Sequence, residues 1–78
     1  MTEFEIYCTI GEEVTEKNKN EKFAFVVRGN GDYIGVEIAK RSQITIEHGC
    51  LILKSPTCYA SKPLEKVLNV RSVKNATI

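Results

Sequence analysis

Two apolar runs, each broken by a turn dipeptide ending in glycine, constrain this chain more than any other feature. In residues 23–38, FAFVVRGNGDYIGVEI, Asn30-Gly31 sits between two halves rich in Phe, Val and Ile. A two-residue type I′ hairpin turn needs positive φ at both centre positions, and Asn-Gly meets that need well. Placing Asn30-Gly31 at the centre sets Arg28 opposite Tyr33, Val27 opposite Ile34, Phe25 opposite Val36 and Phe23 opposite Ile38. One face then reads Phe23, Phe25, Val27, Ile34, Val36 and Ile38; the other reads Ala24, Val26, Arg28, Tyr33, Gly35 and Glu37. Side chains alternate with period two, so a one-residue slip would exchange the two faces, and the all-apolar face favours this register.

The second run, residues 43–54, QITIEHGCLILK, passes the same test with His48-Gly49 as the turn. Ile46 faces Leu51 and Ile44 faces Leu53 on the apolar side, while Glu47 faces Cys50 and Thr45 faces Ile52 on the other. Histidine tolerates positive φ better than most side chains. The one histidine is thus accounted for by turn chemistry, with no sequence-adjacent partner for a catalytic role.

The glycines of Arg28–Gly35, RGNGDYIG, also invite a phosphate-loop reading. A dinucleotide fingerprint is GxGxxG opening a helix. Here Ile34 occupies the place of the third glycine, and the strand-like VEI follows. The stretch is therefore a hairpin turn. Gly35 is left over; the turn does not need it, and it marks either a bulge or a close backbone approach.

Outside the hairpins the pattern is weaker. Residues 3–10, EFEIYCTI, alternate with Phe4, Ile6, Cys8 and Ile10 on one face, which predicts a half-buried strand with Cys8 in the core. Residues 11–22, GEEVTEKNKNEK, are polar and read as a mobile loop with an acidic face. SPTCYA, residues 55–60, is a turn or edge segment broken by Pro56. In residues 61–71, SKPLEKVLNVR, the spacing of Leu64, Val67, Leu68 and Arg71 predicts a short helix capped by Ser61; the rival reading is a last strand in VLNVRSV. The sequon Asn75-Ala76-Thr77 reads as chance.

These elements define one small domain over residues 1–78, of the α+β class and mainly β: a small antiparallel sheet or open barrel of four to five strands, built from two hairpins, with one short C-terminal helix. A chain of this length buries only a modest share of its surface, so dimerisation would help it.

Charge and composition narrow the function. The net charge is +1, but residues 1–21 carry six acids and two bases, whereas residues 22–78 carry nine bases and four acids. Such a dipolar surface orients charged partners, yet it falls short of the basic footprint of a dedicated nucleic-acid binder. No apolar run is long enough to span a bilayer, and the acidic, alternating N-terminus does not resemble a signal peptide; a cytoplasmic protein is expected. Three cysteines without a CxxC, and one histidine, do not form a disulfide framework or a zinc site. The thiols are read as structural, and no cofactor or metal is expected. Glu12, Glu13 and Glu16 lie in a loop with no apolar pocket to tune a carboxylate, so no enzyme is expected either.

The remaining reading is a non-enzymatic interaction protein, a regulatory inhibitor or adaptor of the kind phages and mobile elements encode, that binds a protein partner. The expected contact surface is the polar hairpin face and the link between hairpins: Arg28, Tyr33, Glu37, Lys40 and Arg41. Arg28 and Tyr33 would stand side by side as a cation–π pair.

A second reading comes from resemblance. RGNGDYIGVEIAK and ITIEHGCLILKSP resemble the hairpin ends of the swapped-hairpin DNA-binding domain of AbrB-like regulators and MazE-type antitoxins. Gly29, Asn30, Val36, Ile38 and Lys40, then Gly49, Leu51, Ile52, Leu53, Lys54 and Pro56, stand in similar places. The resemblance spans residues 28–56, about 29 residues; it lacks the leucine-rich helix and Gly-Asp turn between Lys40 and Gln43, and the proline near Ala39. It implies a homodimer that binds duplex DNA.

Overall fold

The computed structural model describes residues 1–73. The sequon at 75–77 and Lys74 lie outside the described residues. The order is α1 (Glu3–Ile10), β1 (Lys22–Arg28), β2 (Ile34–Lys40), β3 (Ile44–Glu47), β4 (Cys50–Ser55), β5 (Cys58–Pro63) and β6 (Val67–Val73), with single 3-10 turns at Arg41–Gln43 and Leu64–Lys66. The strands form two antiparallel three-stranded sheets, β2-β1-β6 and β3-β4-β5. The mainly-β class and the two hairpins are as expected. Among the described residues there are six strands and one α-helix, which is N-terminal, not C-terminal.

Residues 3–10 are helical because a local signal outweighs their alternation. Thr2-Glu3-Phe4-Glu5 is a capping box: Thr2 Oγ1 accepts from the Glu5 amide at 3.2 Å, and the Glu5 carboxylate accepts from the Thr2 amide at 2.8 Å. The two reciprocal bonds satisfy amides that a helix start leaves without partners. Gly11, at φ +86, ends the helix and donates to the Tyr7 carbonyl. Ile6 and Ile10, four apart, share the buried face that packs toward β6. Phe4 and Cys8, assigned to the core by alternation, are exposed instead. Cys58 is exposed as well, so two of the three thiols are not buried structural groups.

The second hairpin has the expected register, Ile44 with Leu53, Ile46 with Leu51 and Glu47 with Cys50. His48 (φ 52) and Gly49 (φ 74) both lie in the left-handed region. The chain then turns again at Pro56-Thr57, and β5 runs back along β4.

The first hairpin does not have the expected register. Tyr33 donates to the Asn30 carbonyl at 3.1 Å, and its own carbonyl accepts from the Gly29 amide at 2.8 Å. Tyr33 thus opposes two residues, Gly29 and Asn30, and this bulge moves the pairing by one position. Arg28 faces Ile34, Val26 faces Val36, Phe25 faces Glu37 and Ala24 faces Ile38. Phe23, Phe25 and Val27 remain inside, but Ile34, Val36 and Ile38 point outward and are 55–61 % exposed. Gly35, Glu37 and Ala39 take the inward side.

A second bulge explains the missing C-terminal helix. Val26 pairs with Asn69 and Val27 with Val67, so Leu68 is extra in the β1–β6 ladder. Val67 and Val70 both face the core although they are three residues apart. A strand with a bulge copies the i, i+3 spacing of a helix.

The interior faces of both sheets meet in one core: Phe23, Phe25 and Val27 of β1, Leu51 and Leu53 of β4, Val67 and Val70 of β6, with Ile6 and Ile10 of α1. The 11–21 connection is tied down by its own bonds. Asn18 bridges the Thr15 amide and the Glu13 carbonyl, and Glu21 and Lys19 carbonyls accept from the Arg41 and Ser42 amides. α1 packs along β6, and Tyr7 and Ile10 line a cleft with Ile44, Thr45 and Ile46 at the β3 side. Among the described residues, the opposite seam, between β2 and β5, has no such cover.

Candidate functional site

The open seam is where surface chemistry gathers. At its turn end, Arg28, Gly29, Asn30 and Tyr33 of the first hairpin face Ser61, Lys62 and Pro63 of β5 and Lys66 of the following 3-10 turn. Between them is a groove of about 380 Å³. Three cations line it, and among the described residues none of the three is in an ion pair; the one ion pair there is Lys19–Glu16, at 2.9 Å. Like charges gathered this closely repel each other, and an anion in the groove relieves that repulsion.

The local sequence explains how each side chain arrives. Arg28 ends β1 just before the bulge, so it sits at the rim of the sheet. Lys62 pairs with Leu51, whose side chain faces the core; it therefore comes from the inward side of an edge strand and is only half-exposed. An inward-pointing lysine also blunts a sheet edge against unwanted pairing. Pro63 ends β5 and removes a donor from that edge. Lys66 is placed by the 3-10 turn, whose Leu64 is buried.

Tyr33 forms the groove's aromatic wall, and its position answers the question of Gly35. The ring lies along Gly29 and Gly35. A Cβ at Gly35 would stand 3.2 Å from both Cε1 and the hydroxyl oxygen of Tyr33, and one at Gly29 would overlap the ring. Both glycines leave room for the aromatic ring, a pairing that recurs in sheets. The ring stays 66 % exposed, open to a ligand.

Of the five residues expected to form the contact surface, the structure brings Arg28 and Tyr33 together in this groove. Glu37 lies farther along β2 on its inward side. There it lines a crevice of about 90 Å³ with Ile38, Ala39, Lys54, Cys58 and Ala60, too small for a drug-sized ligand. Lys40 is exposed at the end of β2, where its amide donates to Gln43 Oε1 at 3.0 Å. Arg41 is only 4 % exposed. Its Nη1 donates to the Ile44 carbonyl and its Nη2 to the carbonyls of Gly11 and Glu12, all at 3.3 Å. A cation that takes carbonyls just past a helix C-terminus complements the helix dipole, so Arg41 ties α1 to β3. Sequence reasoning missed Lys62 and Lys66. Nothing local to SKPLEK points to a site, because these residues meet the first hairpin only through the fold.

His48 is exposed in its turn. Among the described residues no three His, Cys, Asp or Glu side chains gather as a metal site, and no helix is long and apolar enough to cross a membrane.

No family model, curated protein or solved structure matches the chain.

Proposed function

We propose that the protein is a non-enzymatic binding module, an inhibitor or adaptor, that holds an acidic segment of a partner protein in the groove between the first hairpin and β5. The observation that carries this reading is the convergence of Arg28, Lys62 and Lys66, none in an ion pair among the described residues, around the exposed ring of Tyr33. Carboxylates suit such a groove, since Arg accepts them in a two-pronged geometry and lysines add charge without geometric demand. Tyr33 supplies rigid, amphipathic contact area of the kind that anchors protein interfaces.

A nucleic acid is the competing ligand, because cations beside an aromatic ring also hold a backbone and stack a base. A net charge of +1 and six acids in the first 21 residues weigh against a long polyanion. Immobilised protein, wild type and the R28A/K62A/K66A variant, tests the choice after nuclease treatment of the extract. A protein retained by the wild type and released by the variant supports the proposal. Retention that nuclease abolishes replaces it with the nucleic-acid reading.

A further inference from the structure

β2 is a sheet edge, and its outer side has no partner among the described residues. Free edges of this kind are usually blunted by a lysine, a proline or a bulge. β5 follows that rule with Lys62 and Pro63. β2 instead shows water a row of three large aliphatic side chains, Ile34, Val36 and Ile38. Its one inward charge is Glu37.

The backbone phase of β2 is fixed by the turn. Tyr33 directs its carbonyl to Gly29, the residue just past the end of β1. Hydrogen-bonded and non-bonded positions alternate in an antiparallel pair, so Ile34, Val36 and Ile38 direct their N–H and C=O groups away from β1. The outward aliphatic side chains and the outward backbone groups thus belong to the same three residues.

We propose that β2 pairs antiparallel with β2 of a second copy about a two-fold axis at Val36, giving a continuous six-stranded sheet. The residues themselves select this occupant. With the axis at Val36, Val36 meets Val36 and Ile34 meets Ile38, and Lys40 of each copy comes to lie beside the other copy's turn, which carries Asp32. On the inward side, Glu37 falls opposite Gly35, the position with no side chain, next to the Tyr33 hydroxyl. Moving the axis to Glu37 would set two carboxylates face to face and Ile34 against Lys40. Moving it to Gly35 would leave Ile38 without an aliphatic partner, beside the turn at Asp32. Of the three registers, the one at Val36 alone pairs all three aliphatic residues with one another. A two-fold pairing of one patch with itself is also the commonest form of protein assembly.

Tyr33 lies three positions before the axis in each copy, so the two cationic grooves would open at opposite ends of the shared strand pair, about 20 Å apart. A single strand pair is a small contact, below about 1,200 Å², so the dimer forms reversibly.

Light scattering after size exclusion tests the pairing, from dilute solution to about 1 mM, the concentration at which even a contact worth only about 4 kcal/mol is half-formed. The expected mass rises from one chain to two. Val36→Lys, at an exposed site, keeps its circular dichroism but stays monomeric. Asp32→Lys weakens the dimer several-fold, and D32K/K40D restores it. A zero-length carbodiimide cross-link joins Asp32 to Lys40 between isotopically light and heavy chains; within one chain the ends of β2, Ile34 and Lys40, are already about 20 Å apart, and Asp32 lies in the turn beyond Ile34, so the two cannot be joined. A single-chain mass at every concentration overturns the proposal. So does a dimer that Val36→Lys leaves intact, or one whose cross-links avoid the Asp32–Lys40 pair.

Discussion

The ring of Tyr33 lies against Gly35, with its hydroxyl oxygen 3.2 Å from where a Cβ of that glycine would stand. This one relationship connects the bulged turn to the groove. The bulge at Gly29 and Asn30 sets the register, the register turns Tyr33 and Gly35 to the inward face of β2, and the absent Gly35 side chain lets the ring lie along it beside the cations. Gly29→Ala is therefore expected to displace the ring and cost about 0.5–1 kcal/mol, the range of a cross-strand pair. The same substitution in a Tyr33→Ala background should cost much less. A urea-denaturation double-mutant cycle measures the difference, and equal costs in both backgrounds would remove the contact from the account.

The register itself makes a sharp prediction. Phe23 and Phe25 are fully buried whereas Ile38 and Val36 are mostly exposed. Phe25→Ala should cost about 3–5 kcal/mol, enough to unfold a domain of this size. Ile38→Ala should cost less than about 1 kcal/mol in the dilute, monomeric chain. Comparable losses at both positions would restore the register with Ile38 inside.

Arg41 is a structural cation. Removing it frees three carbonyls, those of Ile44, Gly11 and Glu12. Arg41→Ala should lower stability by about 1–3 kcal/mol. Arg41→Lys should recover little of it, since a single ammonium cannot reproduce the spread of a guanidinium. Both variants should bind partner as the wild type does once folded, because Arg41 does not line the groove.

The helix start is equally open to test. Thr2→Ala removes one half of the capping box and should cost about 1 kcal/mol. Thr2→Ser should be nearly neutral. Thermal unfolding followed by circular dichroism distinguishes the two.

How far the sequence foretold the fold depends on how local each signal was. His48-Gly49 supplied two adjacent residues suited to positive φ, and the second hairpin has the register they imply. Asn30-Gly31 looked stronger, but only Gly31 (φ 63) takes positive φ, and Asn30 joins a bulge. An extra residue of that kind leaves no mark in an apolar pattern. Leu68 misled in the same way, turning a strand into an apparent helix. For α1 the signal was present: Thr2-x-x-Glu5 is a capping box in plain sequence, and Ile6 and Ile10 satisfy a helical spacing as well as an alternating one. Of the groove, Arg28 and Tyr33 could be read from one hairpin. Lys62 and Lys66 could not, because the packing of the two sheets alone brings them to it.

The central claim is that the Arg28–Tyr33–Lys62–Lys66 groove receives acidic protein segments. Fluorescence anisotropy with a labelled Glu/Asp-rich peptide, run beside single-stranded and duplex DNA of similar charge, tests it most directly. The account predicts saturable peptide binding that weakens with salt, falls at least about tenfold in R28A/K62A/K66A, and exceeds binding to either DNA. Peptide binding that the triple variant leaves unchanged, or tighter binding of DNA than of the peptide, would contradict it.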